Sequence, residues 1–359
     1  MSLEMIGYRV GWLIDGTGRP AVENQVILTN DGTIQRVVAA DHPISEKVSI
    51  VDLSDYTALP ALVDSHVHLV LSGSTEPSVR KNQQRTPYDE RRHVITRHLG
   101  QHFNCGVLAV RDGGDRHGDT LRYKCEAHHE AAPMVTIASA GRAHHAPGRY
   151  GKLIGVAVQD GLQLAQSAFK VDQRRDHLKL VNSGLNSLTQ FGVETPAQFG
   201  AQDLAETVAA ARRQGQPTMV HANGTRPVML AVDAGCSSIE HGFFMGRDNM
   251  RRMADKDVTW VPTAVTMKAY EDYLVNQGHR CDPSFAEVSR RNLEHQLEQI
   301  SLARELGVAI ALGTDAGSPG VEHGEAVREE LRLFILAGFS IEQAIRCASY
   351  NGARLMQLT

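Results

Sequence analysis

The stretch ALPALVDSHVHL, residues 58–69, marks the point where the character of the sequence changes. Before it, residues 1–57 contain short β-prone runs separated by turns, including the hairpin signal Asn-Asp-Gly at residues 30–32. After it, short apolar runs bounded by Gly, Asp or Asn alternate with stretches of helical periodicity. We therefore predict a first segment of short strands at 1–57 and a separate α/β domain at 58–359.

Eight strand candidates can be recognised from residue 58 onward, and helix-like segments lie between them. Several candidates are apolar at nearly every position, as expected for buried parallel strands. They cover residues 58–69, 106–114, 133–140, 177–184, 217–224, 237–243, 258–265 and 308–317. This pattern predicts a TIM-type (β/α)8 barrel. A doubly wound open sheet is the alternative, which we disfavour because no G-x-G-x-x-G motif follows the first strand.

Composition limits the possible partners. The 359 residues carry a formal net charge of −4, which gives no electrostatic reason to expect a nucleic acid or an acidic membrane surface. No apolar run is long enough for a membrane helix, and the N-terminus has no secretory pattern. The five cysteines are scattered and form no C-x-x-C motif, so we expect free thiols and a cytoplasmic protein. We expect a small-molecule substrate and allow for a homo-oligomer.

The first strand candidate carries the pair His66 and His68. Residues two apart on a strand point the same way, so both imidazoles enter the domain from one edge and can form half of a divalent metal site. Polar residues end four further strand candidates: Lys179, His221, His241 and Asp315. Enzymes with a barrel of this type place their catalytic groups at the carboxyl ends of the strands. Each residue alone could be structural, but their coincidence at strand ends favours one site.

Lys179 and Asp315 suggest the chemistry. A charged lysine in an apolar strand is costly and cannot bind a cation, whereas its CO2-derived carbamate would be an anion able to bridge two cations. The alternative is that Lys179 only pairs with a carboxylate. Asp315 is the natural general base, since a carboxylate can take a proton from the attacking water and give it to the leaving amine. Arg111 and Asp112 could form an internal structural pair.

Two long connections, 140–155 and 266–285, are candidates for substrate contacts. The first is rich in cations and histidines, and an arginine there could hold a substrate carboxylate through two hydrogen bonds. Its candidate residues are His144, His145, Arg149, Tyr150 and Lys152. The alternative is a solvated surface insertion.

Taken together, D-S-H-V-H at residues 64–68, the strand-four lysine, the single histidines ending strands five and six, and G-T-D-A-G at 313–317 resemble the amidohydrolase superfamily. The N-terminal I-D-G-T-G and D-G-T-I-Q-R-V motifs are similar to the small β-sandwich domain that precedes such barrels. The resemblance covers essentially the whole chain. It implies a binuclear site, with zinc as the first choice of metal and Mn, Co or Fe as alternatives.

The resemblance also implies individual roles. His66 and His68 would bind one metal ion, His221 and His241 the other, a carboxylated Lys179 would bridge them, and Asp315 would bind the first. Within the superfamily, L-K-L-V-N-S-G, H-A-N-G and I-E-H-G look closest to the prolidase-like and imidazolonepropionase-like branch. Leu185-Asn186 and Asn223, a further candidate substrate contact, depart from that pattern, which leaves peptide specificity open. The sequence also lacks the usual motif after the last helix, so the sandwich would be reduced or the sequence truncated.

These features favour an amide hydrolase, such as a dipeptidase or an N-acyl amino acid hydrolase. Cyclic amide or imidazolone hydrolysis is the main alternative. A deaminase is disfavoured because it would not need the strand-four lysine, and no helical H-x-x-E follows strand five. A non-catalytic scaffold is disfavoured because all six candidate ligands are present.

Overall fold

The structure is a computed structural model that describes residues 5–83, 85–127, 134–170, 174–277 and 282–358. Outside this description lie residues 1–4 of the predicted segment 1–57 and residues 84, 128–133, 171–173, 278–281 and 359 of the predicted segment 58–359. Of the strand candidate 133–140, only residue 133 lies outside it. The predicted boundary between two domains stays a prediction.

The N-terminal segment folds into one four-stranded sheet in the order β3-β2-β1-β4. Its strands are β1 (Ile6–Leu13), β2 (Val22–Asn30), β3 (Thr33–Ala39) and β4 (Ser49–Ala58). The predicted hairpin joins β2 to β3, with left-handed backbone at both Asp31 and Gly32, as a tight two-residue turn requires. β4 returns to pair in parallel with β1. Within the described residues, the segment thus forms one sheet, and the second layer of a sandwich stays a prediction.

The remaining strands are all parallel and belong to two sheets, β5-β6-β7 and β13-β12-β11-β10-β8-β9. Their ranges are β5 Leu62–Val67, β6 Val107–Asp112, β7 Thr136–Ser139, β8 Ala143–His145, β9 Gly155–Ala157, β10 Leu178–Val181, β11 Thr218–Ala222, β12 Ser238–His241 and β13 Thr259–Val261. Seven of the eight predicted strands are therefore confirmed in position. The α/β class is confirmed as well.

The eighth predicted strand, 308–317, is wrong as a regular strand, although it lies where a strand was expected. It makes isolated bridges, Ile310 with Trp260 of β13 and Ala316 with Val67 of β5. Positive φ angles at Asp315 and Gly317 turn the backbone away from extended geometry. The described strands thus form two sheets rather than one closed ladder, with segment 308–317 hydrogen-bonded to an edge of each.

A buried carboxylate fixes this segment against the first parallel strand. Asp64, in β5, accepts hydrogen bonds from the Thr314 backbone N–H (3.0 Å) and hydroxyl (2.6 Å) and from the His66 backbone N–H (3.3 Å). In turn, the Asp315 N–H donates to the His66 carbonyl at 2.7 Å. These bonds fix the position of Asp315 relative to β5.

Helices follow most of the parallel strands and pack their apolar faces on them. They are α1 Pro77–Gln83, α2 Tyr88–Asn104, α3 Asp119–Ala127, α4 Leu164–Ala168, α5 Ala201–Arg213, α6 Thr225–Asp233, α7 Arg247–Asp255, α8 Val265–Gln277, α9 Pro283–Glu305, α10 Glu325–Leu336, α11 Ile341–Cys347 and α12 Tyr350–Leu355. Of the connection predicted at 266–285, residues 278–281 lie outside the described residues, and the described part is largely helical because it contains most of α8 and the start of α9. No helix in the described ranges combines the length and apolarity needed to cross a membrane.

A buried pair of stacked histidines holds the chain that leaves β5. The rings of His98, in α2, and His323 lie 3.9 Å apart between centroids at an interplanar angle of 22°. Each ring bonds a carbonyl just past β5, His98 that of Leu69 and His323 that of Leu71, both at 2.8 Å. Burial lowers the pKa of His98 to about 4 and that of His323 well below its usual value. Both imidazoles are therefore neutral in the folded protein.

We expect the folded state to lose stability as pH falls from about 6.5 toward 4. In this range His98 is protonated in the unfolded chain but stays neutral in the folded chain, where its pKa is about 4. This one residue contributes about 2 kcal/mol to the loss at pH 5. The variant His98→Gln should be less stable at pH 7 but should lose less on acidification, as measured by denaturant unfolding at both pH values. His93→Gln, an exposed change in the same helix, should follow the wild type. An equal acid loss in all three proteins would contradict this assignment.

Candidate metal centre

The candidate site lies in a cavity of about 320 Å³. All six residues singled out as metal ligands line this cavity: His66, His68, Lys179, His221, His241 and Asp315. The structure thus brings together residues that are up to 249 positions apart in the chain. Their roles as ligands stay a prediction, which can be weighed against the geometry.

Three of these residues converge on one point. His66 directs Nδ1 to Glu240 (2.8 Å), and His68 directs Nδ1 to the Gly114 carbonyl (2.8 Å). Because these partners accept hydrogen bonds, each ring carries its proton on Nδ1 and keeps a lone pair on Nε2. Both Nε2 atoms face Asp315 Oδ1, at 3.5 and 3.4 Å. The three side chains place ligand atoms within 4.8 Å of one another, which fits a divalent cation.

The other three residues lie beside this group. The ring centroid of His241 is 4.9 Å from that of His66 and 4.6 Å from that of His221. Lys179 Nζ lies 3.5 Å from His66 Nε2. His241 bonds the Thr263 hydroxyl through Nδ1, which leaves Nε2 for a cation. His221 bonds a backbone carbonyl through Nε2, which leaves Nδ1.

Burial adjusts the protonation of the site. It lowers the pKa of His68 to about 4 and that of His221 to about 3, so both imidazoles keep a free lone pair at neutral pH. It raises the pKa of Asp315 to about 7, against the opposing effects of the Ser318 hydroxyl and Lys179. It lowers the pKa of Lys179 to about 8, and the charges of Glu240 and Asp315 oppose this shift.

Two of the candidate ligands have unusual backbone geometry. His241 and Asp315 have φ angles of 67° and 57°, in the left-handed region that side-chain-bearing residues rarely adopt. Such strain persists where surrounding structure enforces it, and it clusters at functional sites. Here the turn at each residue ends an extended segment and directs the side chain into the cavity.

Behind His66 lies a buried chain of polar groups that was not predicted from the sequence. Glu240 holds His66 through Oε2, and its Oε1 accepts hydrogen bonds from Arg111 Nη2 (2.7 Å) and the Ser238 hydroxyl (2.5 Å). Arg111 Nε also donates to the Ser65 carbonyl at 2.8 Å. Arg111 and Glu240 are fully buried. This chain selects the imidazole tautomer that leaves His66 Nε2 free.

The internal pair suggested by the sequence, Arg111 with Asp112, is therefore wrong, because Arg111 reaches across to Glu240. Asp112 instead accepts hydrogen bonds from the backbone N–H groups of Leu69 and Gly114. Glu240 directly precedes His241, and only this position could have drawn attention to it in the sequence.

The expected substrate contacts divide into two groups. Tyr150 and Asn223 line the cavity. The others do not. His144 is buried in β8, where its Nε2 lies 3.4 Å from Arg175 Nη1. His145 turns its Nδ1 toward the carbonyl of Ala146. Arg149, exposed, donates to the Pro196 carbonyl. The loop 140–155 thus turns most of its charged and histidine side chains away from the cavity, and Lys152 is exposed.

The cavity wall is mostly apolar beyond the polar centre. Its apolar side chains include Leu153, Ile154, Leu185, Leu188, Phe243 and Met267. One further cation, Arg80 of α1, also lines the cavity and was not anticipated from the sequence.

Comparisons with known proteins show the family of this chain and its fold. The sequence model described as "Amidohydrolase family" matches residues 57–359. An uncharacterized protein of Mycobacterium tuberculosis (strain ATCC 25618 / H37Rv) is 26% identical over 299 residues, which are 82% of this chain and 73% of the relative. Ochratoxinase of Aspergillus niger is 28% identical over 199 residues, covering 55% of this chain and 40% of that protein.

The fold is also similar to solved structures. A Xaa-Pro dipeptidase with bound methionine in its active site superposes with a TM-score of 0.79 at 24% identity, covering 99% of this chain and 89% of the other. At this identity the similarity concerns the fold alone.

We expect Glu240→Gln to weaken binding of a divalent cation about 10–100-fold, because the variant leaves Arg111 without its charged partner and loosens the orientation of His66. Competition with a chelator of known affinity would measure this. Glu330→Gln is the matched control, a buried glutamate that instead accepts from the N–H groups of Ala264 and Val265. Equal cation affinity in the wild type and Glu240→Gln would argue against a positioning role.

Proposed function

Because this chain belongs to the amidohydrolase family, we propose that it is a metal-dependent hydrolase that cleaves the amide C–N bond of a small substrate, such as a dipeptide or an N-acyl amino acid. The observation that carries the proposal is the convergence of two imidazole Nε2 atoms on the Asp315 carboxylate inside a cavity. Lys179, His221 and His241 beside this group would complete a centre for two cations.

Zinc is the first candidate, with Mn, Co or Fe as alternatives, since all suit imidazole and carboxylate ligands. His66, His68 and Asp315 would hold one cation, His221 and His241 the other. When bound, such cations supply Lewis acidity that polarises the scissile carbonyl and brings the pKa of water near neutrality.

Asp315 acts as the general base and then as the general acid. It would accept a proton from the attacking water and deliver it to the nitrogen of the leaving amine, so that the C–N bond breaks as the proton arrives. The Ser318 hydroxyl, which donates to Asp315 Oδ2 at 2.9 Å, would hold the other oxygen toward the cavity.

For Lys179 we propose a carbamate. The lysine is fully buried, and its one hydrogen-bond contact in the described residues is the 3.5 Å approach to His66 Nε2, which leaves an ammonium poorly satisfied. Addition of CO2 to the neutral amine forms an N–C bond and releases one proton. The resulting anion has two oxygens that could lie between the two groups of imidazoles.

For the fold, we propose that the parallel strands and segment 308–317 form a (β/α)8 barrel, with the N-terminal sheet as part of a small sandwich. Hydrogen bonds support this at both gaps between the sheets. Segment 308–317 contacts β13 and β5, and the Asp176 N–H donates to the carbonyl of Ser139 in β7.

The central test is a panel of dipeptides and N-acyl amino acids assayed with metal-loaded protein. We expect turnover that chelation abolishes, and a loss of about 10²–10⁴-fold in kcat for Asp315→Asn, which removes the proton carrier. Asp233→Asn, a change in a surface ion pair, should be fully active. Turnover only of esters, cyclic amides or amino-substituted heterocycles would favour the alternative activities, cyclic amide hydrolase or deaminase. Full activity of the chelated protein would refute the proposal.

A second test addresses the carbamate. Lys179→Ala should lose activity and bind less than two equivalents of metal, and a short carboxylic acid such as formate should restore part of both by occupying the vacated space. Lys256→Ala, which removes a surface lysine, is the control. An active Lys179→Ala protein in the absence of any added acid would contradict the bridging role.

A further inference from the structure

Arg80 is a positive charge in the cavity wall that the proposed mechanism does not use. Its guanidinium is anchored through Nη1, which donates to the carbonyls of Ser72 (2.9 Å), Ser74 (3.3 Å) and Gly317 (3.2 Å). Within the described residues, its hydrogen bonds all use this one nitrogen. The N–H groups of Nε and Nη2 thus remain available as donors. A guanidinium can bind a carboxylate with two such donors through two parallel hydrogen bonds.

The charge of Arg80 also lacks a nearby counter-charge. Among the described residues, no carboxylate lies within 4 Å of its guanidinium. Burial lowers the pKa of Arg80, and the more distant Asp315 partly offsets this effect. A guanidinium remains charged in proteins, so a half-buried one that is anchored only by carbonyls is left to bind an anion.

The position of Arg80 relative to Asp315 limits what that anion can be. Arg80 bonds the carbonyl of Gly317, two residues after Asp315 and next to Ser318, the residue that holds the Asp315 carboxylate. In an α-amino acid, a single carbon separates the nitrogen from the carboxylate. A group that binds this carboxylate must therefore lie beside the group that protonates the nitrogen, and Arg80 meets this condition.

We propose that Arg80 binds the α-carboxylate of the amino acid that forms the leaving group, so that the substrate is an N-acyl amino acid or a dipeptide with a free C-terminal carboxylate. This inference rests on the proposed amide hydrolase activity and narrows it. The apolar wall, which includes Leu185, Leu188 and Met267, would take the acyl group or the side chain. Arg149, the arginine that the sequence suggested for this role, lies outside the cavity.

The test compares an acid with its uncharged analogue. With metal-loaded wild-type protein, N-acetyl-L-methionine should be a better substrate than N-acetyl-L-methioninamide, because only the former carries the carboxylate. Arg80→Met should lower kcat/KM for the acid about 10–100-fold, the range for a hydrogen bond to a charged group, and change kcat/KM for the amide little. Arg80→Lys should restore part of the loss. Arg149→Met should match the wild type on both compounds.

Binding gives a readout that does not depend on turnover. By calorimetry, L-methionine should bind the metal-loaded wild type more tightly than L-methioninamide, and Arg80→Met should remove this difference. If Arg80→Met lowers activity on acid and amide equally, or leaves the binding difference intact, Arg80 is only an anchor for the loop and the inference is wrong. If neither compound nor any other amide is cleaved while the binding difference depends on Arg80, the amide hydrolase proposal fails and the carboxylate site stands.

Discussion

The site depends on the buried contact between Asp64 and Thr314. Asp64 is fully buried in β5, and Thr314 satisfies both of its carboxylate oxygens from a segment 250 residues later in the chain. A buried carboxylate without such partners would destabilise the folded state by several kcal/mol, on the order of its desolvation cost. His66 lies two residues after Asp64, and Asp315 directly follows Thr314. The hydrogen bonds that satisfy Asp64 therefore also set the distance between the His66 imidazole and the Asp315 carboxylate.

Around this contact, the polar groups form two zones with different tasks. Arg111, Glu240 and Ser238 lie behind His66, fully buried and bonded to one another, and they have no opening to the cavity. Their pairing satisfies two opposite charges and fixes one ring. Toward the cavity, Lys179 and Asp315 are less completely satisfied. Behind His66, Arg111 Nη1 is also buried without a hydrogen-bond partner among the described residues, so unpaired bonding capacity is present in both zones.

Much of the site could be predicted from the sequence because its residues occur at the ends of strands. The alternation along a strand brings His66 and His68 to one face, and Lys179, His221 and His241 end neighbouring parallel strands. Asp315 was found by the same logic, although its segment is not a regular strand. Short-range pattern and topology were sufficient for these residues.

The other features of the site depend on the course of the chain in three dimensions, which local sequence patterns do not encode. Glu240 acquires its role from Arg111, 129 residues away, and no local pattern connects the two. Arg80 reaches the cavity only because the chain after β5 turns back toward segment 308–317. Conversely, Arg149 and His145 occur in a loop of suitable composition whose backbone directs them elsewhere. The composition of a loop predicts that it carries charged side chains, but it does not predict which way they point.

The left-handed backbone at His241 and Asp315 has a consequence for protein engineering. Glycine or asparagine would relieve the strain at these two positions, and a search guided by folding stability alone would select them. Each exchange would remove a proposed ligand, so the stability gained would come at the expense of activity. These positions are therefore ones where natural selection for function and selection for robustness favour different residues, and thermostable variants should be sought elsewhere in the molecule.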